Sequence, residues 1–261
     1  MIIDTHAHYD DCKFDTDRDD RLLEAKKQGI DLIVNASQDL TTSKKGIELS
    51  EKFEFVYCCI GVHPHNADKC DQFTMDELAR LAIHEKVIGI GETGLDYFYE
   101  YSQREIQKKS FIEHIRMAKD LKLPTIIHDR DAHEDTYNIL KQERIWEAGG
   151  VVHCFSGSVE LAKKAIEMGL YISIGGAVTF KNAKNVLDVV KYIPDDRLLL
   201  ETDCPYMTPE PHRGHRNESL YVKLVAKRIS ELRNREIEEI YKQTTSNFFH
   251  LFTKAKNGDK Y

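Results

Sequence analysis

The feature that most constrains this chain is a rhythm: short, uninterrupted apolar runs alternate with amphipathic stretches along its whole length. The runs begin at Ile2 and recur at residues 31–36, 55–61, 87–92, 124–128, 150–153, 171–174 and 198–201. Each lacks the polar alternation of a half-exposed strand, which is the pattern of strands buried on both faces, as in a parallel sheet. Between them, 3.6-residue periodicity predicts helices over residues 17–29, 41–52, 74–84, 102–121, 132–142, 159–168 and 183–191. Two more, over 220–232 and 236–252, close the chain. Eight βα units in 261 residues are the content of a closed (β/α)₈ barrel of the TIM type. An open doubly wound sheet is the alternative. No linker, low-complexity segment or composition shift divides the sequence. One α/β domain is expected over residues 1–254, with 255–261 as a frayed, disordered tail.

Charge and cysteine usage narrow the function classes. The formal net charge is −7, so the overall field does not attract nucleic acid. A polyanionic substrate would have to be held by local positive charge, from metal ions or a few arginines. The six cysteines, among them Cys204, form no CxxC pair and are too sparse for a disulfide scaffold. No run approaches the ~20 apolar residues needed to span a bilayer, and no basic leader precedes the first strand. The expectation is an intracellular protein, cytoplasmic or nuclear, with no membrane association and no obligate protein partner.

Barrel enzymes carry their chemistry at the C-terminal ends of the strands. Here the first strand ends in His6 and His8, which lie two apart and so project to the same side. The third leads to His63, the fourth ends in Glu92, the fifth in His128 and the sixth in His153; the eighth runs into Asp203. A lone histidine in a loop is more often structural than a ligand, but so many at one rim point to a metal site. One divalent ion needs three or four protein groups, and this set exceeds that. Glu92 could bridge two ions, with His6, His8 and Asp203 on one and His128 and His153 on the other. Two-metal sites of this kind clamp both the attacking and the leaving oxygen of an in-line displacement. His and carboxylate donors suit Mg²⁺, Mn²⁺ or Zn²⁺. A zinc thiolate at Cys204, beside Asp203, is the competing arrangement.

The motifs Asp4-Thr5-His6-Ala7-His8, Gly61-Val62-His63-Pro64-His65, Gly91-Glu92-Thr93-Gly94-Leu95-Asp96-Tyr97, Ile127-His128-Asp129-Arg130, His153-Cys154-Phe155-Ser156-Gly157 and Glu201-Thr202-Asp203 occur in this order. Together they resemble the TatD family of metal-dependent hydrolases, from residue 2 to about residue 252. The resemblance implies a barrel with a divalent-metal site and deoxyribonuclease activity, exonucleolytic in the 3′–5′ direction, on DNA and with single-stranded 3′ ends favoured. Carried over by position, the metal ligands are His6, His8, Glu92, His128, His153 and Asp203, with Glu92 and Asp203 as the catalytic carboxylates. Cys204 and Ser219 depart from the residues common at those positions, and neither is a ligand position.

The same resemblance puts His63 and His65 near the scissile phosphate and gives Asp96 a role in positioning water or substrate, or else in capping the helix from residue 102. Arg130, two residues past His128, faces the rim if its strand continues, where its guanidinium fork could bind a phosphate or pair with Asp129 or Asp131. The loop 211–217, which contains Arg213, is the best local positive patch for a nucleic-acid backbone. A C–N or ester hydrolase of the amidohydrolase type, D-aminoacyl-tRNA deacylase included, is the alternative function. Such enzymes commonly bridge their metals with a lysine-borne carboxylate, whereas Glu92 supplies one directly. A non-catalytic barrel would not need so complete a set of ligands.

Overall fold

The computed structural model describes residues 1–255, and every predicted apolar run in it is a strand. The strands are β1 (Ile3–Ala7), β2 (Leu32–Ala36), β3 (Val56–Ile60), β4 (Val87–Asp96), β5 (Thr125–Arg130), β6 (Gly150–Val152), β7 (Tyr171–Ile174) and β8 (Leu198–Leu200). They pair in sequence order and in parallel. Just past the strand ends, Asp203 N–H donates to the His6 carbonyl (2.9 Å) and His8 N–H to the Cys204 carbonyl (2.7 Å). These bonds draw the first and last strands together, so the sheet is a nearly closed (β/α)₈ barrel and not the open alternative.

The helices between strands are α1 (Arg18–Lys27), α2 (Leu40–Lys52), α3 (Gln72–Leu81), α4 (Arg104–Leu121), α5 (His133–Gln142), α6 (Val159–Glu167) and α7 (Lys184–Tyr192); α8 (Val222–Arg233) and α9 (Ile237–Leu251) follow β8. Most ends fall within two residues of the periodicity. Helix α3 starts two residues before the expected residue 74 and stops at Leu81. The carboxylate of Asp71 accepts the Thr74 N–H (2.8 Å) and sets the N-terminus there. Helix α2 opens on a capping box between Asp39 and Thr42.

Inside the barrel, Ile3, Val34, Cys59, Ile88, Ile126, Val151, Tyr171 and Leu199, one from each strand, meet Phe248, Leu251 and Phe252. Helix α9 and the residue after it thus seal one end. Along three strands, the residue two positions beyond this plug is polar: His128 after Ile126, His153 after Val151 and Glu201 after Leu199. Strand periodicity gives each pair one facing, so the apolar plug is the floor on which the polar groups stand.

Two expectations are corrected. Strand β4 runs to Asp96 and not to Glu92, pairing Gly94, Leu95 and Asp96 with His128, Asp129 and Arg130 after an irregularity between Ile90 and Thr93. Glu92 therefore lies within the strand. The glycines on either side permit this: a Cβ on Gly91 (φ 135°) would lie 2.6 Å from the Ile126 carbonyl oxygen, and one on Gly94 (φ 144°) 2.0 Å from that of His128. Second, Ala255, assigned to the tail, is buried with Phe252 in the plug; residues 256–261 of that tail lie outside the described residues. Among the described residues, no helix is long and apolar enough to cross a membrane.

Candidate metal centre

The structure gathers the predicted histidines and carboxylates around Glu92, a fully buried side chain. Its two oxygens face different groups. Oε2 lies 3.3 Å from His6 Nε2 and 3.5 Å from His8 Nε2. Oε1 lies 2.8 Å from His128 Nδ1, 2.7 Å from His153 Nε2 and 3.3 Å from His63 Nε2. On the Oε2 side, Asp203 Oδ1 is 3.2 Å from His8 Nε2 and 3.8 Å from His6 Nε2, and the two Nε2 atoms are 3.1 Å apart.

These separations fit divalent ions. Ligand bonds of ~2.0–2.2 Å in tetrahedral geometry put donor atoms about 3.3–3.6 Å apart, close to the spread on the Oε2 side. Glu92 Oε2 is buried and has no hydrogen-bond partner, although two ring nitrogens face it. A buried carboxylate oxygen without a donor is costly, and a cation would satisfy it. The surrounding bonds also fix ring orientation. His8 Nδ1–H donates to the Ala36 carbonyl (2.7 Å), leaving Nε2 with its lone pair toward the centre. His128 Nε2 meets Asp96 Oδ2 at 3.2 Å, leaving Nδ1 toward Glu92. A second nitrogen held by a carbonyl or carboxylate is the usual support of a ligating imidazole.

Electrostatics follow from crowding in a buried site. Burial and the neighbouring His153 pull His6 down to about 4. Burial opposes the charged form of His8 too, but its bond to Asp203 and the charge of Glu92 raise it to about 10. His128, also buried, is raised to about 9 by Asp96 and Glu92. Against its own desolvation, Glu92 is held well below the carboxylate range by the charges of His153 and His63. Asp203 is likewise lowered despite burial, chiefly by His8. It adopts a left-handed backbone (φ 59°), a conformation that costs a non-glycine residue about 1–3 kcal/mol and is typical of functional turns.

The remaining predicted residues are placed as follows. His63 is inside the cluster, against Glu92, and its Nδ1 accepts the His65 N–H (3.1 Å). His65 sits further out, with Nε2 2.9 Å from Asp96 Oδ2. Asp96 does not cap the helix that follows. Its Oδ1 accepts the N–H groups of Phe98 (3.0 Å) and Tyr99 (2.8 Å), while Oδ2 takes His65 and His128. Arg130 ends β5 at the rim and pairs with neither Asp129 nor Asp131; its guanidinium lies over the rings of Phe98 (4.2 Å) and Tyr99 (4.9 Å). In the basic loop, Arg216 is neutralised by Asp17 (2.7 Å) and His212 stacks on Tyr221. The patch thus reduces to Arg213, which covers Phe180 (3.8 Å). Cys204 is buried, its Sγ near Ser219 Oγ (3.9 Å), and burial pushes its thiol well up. Among the described residues Cys204 belongs to none of the donor groups close enough to share an ion, which disfavours the thiolate arrangement.

Glu201 has no role assigned by the sequence. Its Oε1 accepts the Cys154 N–H (2.6 Å) and lies 3.8 Å from His153 Nδ1, and its Oε2 has no partner. With His6 and His153 it forms a further group able to hold an ion. The signal was present: Glu201 and Asp203 are two apart, as are His6 and His8.

Residues 3–253 match the family described as TatD related DNase. The chain belongs to the TatD family. It is 46% identical to the uncharacterized metal-dependent hydrolase YabD of Bacillus subtilis, over 97% of this chain and 99% of that one. The uncharacterized metal-dependent hydrolase YcfH of Escherichia coli is 40% identical, over 97% and 96%. The crystal structure of the TatD homologue YjjV from Escherichia coli superposes with a TM-score of 0.91 at 31% identity, covering 97% of this chain and 98% of that one. The protein is therefore a metal-dependent hydrolase of the TatD family, and its His, Asp and Glu groups are of the kind that binds metal.

Proposed function

We propose that this hydrolase is a deoxyribonuclease that cleaves phosphodiester bonds from the 3′ end of DNA, in the 3′–5′ direction. In this reading Glu92 joins two divalent ions, Mg²⁺, Mn²⁺ or Zn²⁺. His6, His8 and Asp203 complete one, and His128 and His153 the other. The observation that carries the reading is the division of Glu92, whose Oε2 faces His6 and His8 while Oε1 faces His128 and His153. When bound, such ions ionise water near neutral pH and stabilise charge on phosphoryl oxygens.

The chain's own residues divide the remaining work. Asp203 is ionised and less deeply buried than Glu92, at 14% against 2% side-chain exposure, so it is the carboxylate available to take a proton from the attacking water. His63 and His65 lie beside the reacting phosphate, with Asp96 holding His65 and His128 in place. Arg130 and Arg213 supply the local positive charge that the net charge of −7 does not. Among the described residues these are the arginines without an ion pair; every other arginine has one. An unpaired guanidinium is free to fork onto a phosphate.

The test is digestion of 5′-labelled single-stranded DNA with each ion in turn, beside D-aminoacyl-tRNA and a cyclic amide. The reading expects chelator-sensitive shortening from the 3′ end. Turnover of the ester or amide with DNA untouched would overturn it.

A further inference from the structure

Three exposed aromatic side chains stand together where β4 passes into α4: Phe98, Tyr99 and Tyr101, at 55%, 45% and 69% exposure. Scattered exposed aromatics need no explanation, but a contiguous group beside a catalytic centre does. The Tyr99 and Tyr101 rings are stacked, 5.4 Å between centres and 24° from parallel. His65 stands edge-on to both, at 5.4 and 4.8 Å. On the other side, the unpaired guanidinium of Arg130 covers Phe98 and Tyr99. The Phe98 ring stands edge-on to Tyr99, 4.8 Å between centres and 89° from parallel, so the group is exposed π-surface facing two directions and joined to one free positive charge.

We propose that Phe98, Tyr99 and Tyr101, with Arg130, form a stacking platform for the unpaired bases at the 3′ end of single-stranded DNA. This rests on the deoxyribonuclease reading and adds what the phosphate chemistry cannot supply, a reason to choose single strands. Aromatic rings and guanidinium planes accept any base by its face, and a basic group beside them takes the backbone. Bases already paired and stacked within a duplex do not offer that face. Continuity with the centre comes through one side chain. Asp96 Oδ1 holds the backbone of Phe98 and Tyr99, while its Oδ2 holds His65 and His128. The platform and the candidate ligand His128 are therefore fixed by the same carboxylate, which keeps a stacked base at a set distance from the hydrolytic groups.

The experiment uses the full-length, metal-loaded enzyme and two 5′-labelled single-stranded oligonucleotides. They are identical except that one has abasic sites at its last two 3′ positions. The wild type should show a KM higher by roughly five- to a hundred-fold on the abasic strand, the range for loss of base stacking. A Phe98→Ala/Tyr101→Ala variant should lose this discrimination, with similar KM values on both strands. A Phe98→Tyr/Tyr101→Trp variant, which keeps the ring faces, should retain it. Thermal unfolding of the three proteins checks that they are equally folded. If both strands are cleaved but the wild type ignores the missing bases, or the alanine variant still penalises them as the wild type does, the platform is refuted and the nuclease reading stands. If neither strand is cleaved with any of the three ions, both fall together.

Discussion

The imidazoles of His6 and His153 lie face to face, 4.0 Å between ring centres and 8° from parallel, yet they address opposite oxygens of Glu92. His6 Nε2 is 3.3 Å from Oε2, and His153 Nε2 is 2.7 Å from Oε1. Two stacked, buried rings would repel if both were protonated. Burial and His153 lower His6 to about 4, so the pair does not carry two charges at neutral pH. Strands β1 and β6, far apart in sequence, thus place two donors on either side of one carboxylate.

Asp96 is expected to act through His128. In Asp96→Asn, the retained oxygen can still hold the Phe98 and Tyr99 amides, but an NH₂ group replaces the acceptor that faces His65 and His128. Loss of such support costs roughly 10- to 100-fold in metal affinity. Titration with a competing chelator should show that fall, with unchanged circular dichroism. Unaltered affinity would mean that Asp96 orders only the loop.

Arg130 is expected to act on substrate charge. Arg130→Ala should raise KM for single-stranded DNA and reduce the slope of log KM against log salt by about 0.7, the contribution of one phosphate contact on a single strand. Arg130→Lys should restore only part of the effect, because an ammonium keeps the charge without the planar fork. An unchanged slope in the alanine variant would remove Arg130 from the phosphate path.

His114 predicts how stability depends on pH. It is fully buried on α4; its Nδ1–H donates to the Ser110 carbonyl (2.7 Å), and its Nε2 accepts the Val62 N–H (3.0 Å). Protonation at Nε2 would displace that bond. Burial accordingly lowers the folded-state value from 6.5 to about 4, against a small opposing effect of Ser110. Between those values the unfolded chain binds a proton that the folded chain does not. The contribution is thus complete above pH 6.5 and is lost as pH falls toward 4, by up to about 3 kcal/mol. Urea unfolding of wild type and His114→Gln across this range should show a shallower acid decline in the variant; parallel curves would exclude His114 as the cause.

The barrel and most of the centre were legible in sequence because both follow local rules. Uninterrupted apolar runs mark buried strands, and residues such as His128 and His153 sit at the ends of those runs. Glu201 shares that position, but in sequence the neighbouring Asp203 already completes a ligand count. The extension of β4 to Asp96 was not legible, because it depends on Gly91 and Gly94 approaching the β5 backbone closely. Nor was the neutralisation of Arg216 by Asp17, a contact between the β8 loop and the residue preceding α1. Such features arise only when distant segments meet.

The most direct test of the central claim, that Glu92 joins two ion sites, is the metal content of purified wild type, His6→Ala and Glu92→Ala after equilibrium dialysis against one divalent ion. The account predicts two ions per chain in the wild type, one in His6→Ala, and weakened retention of both in Glu92→Ala. A single ion in the wild type, or equal loss in the two variants, would contradict it.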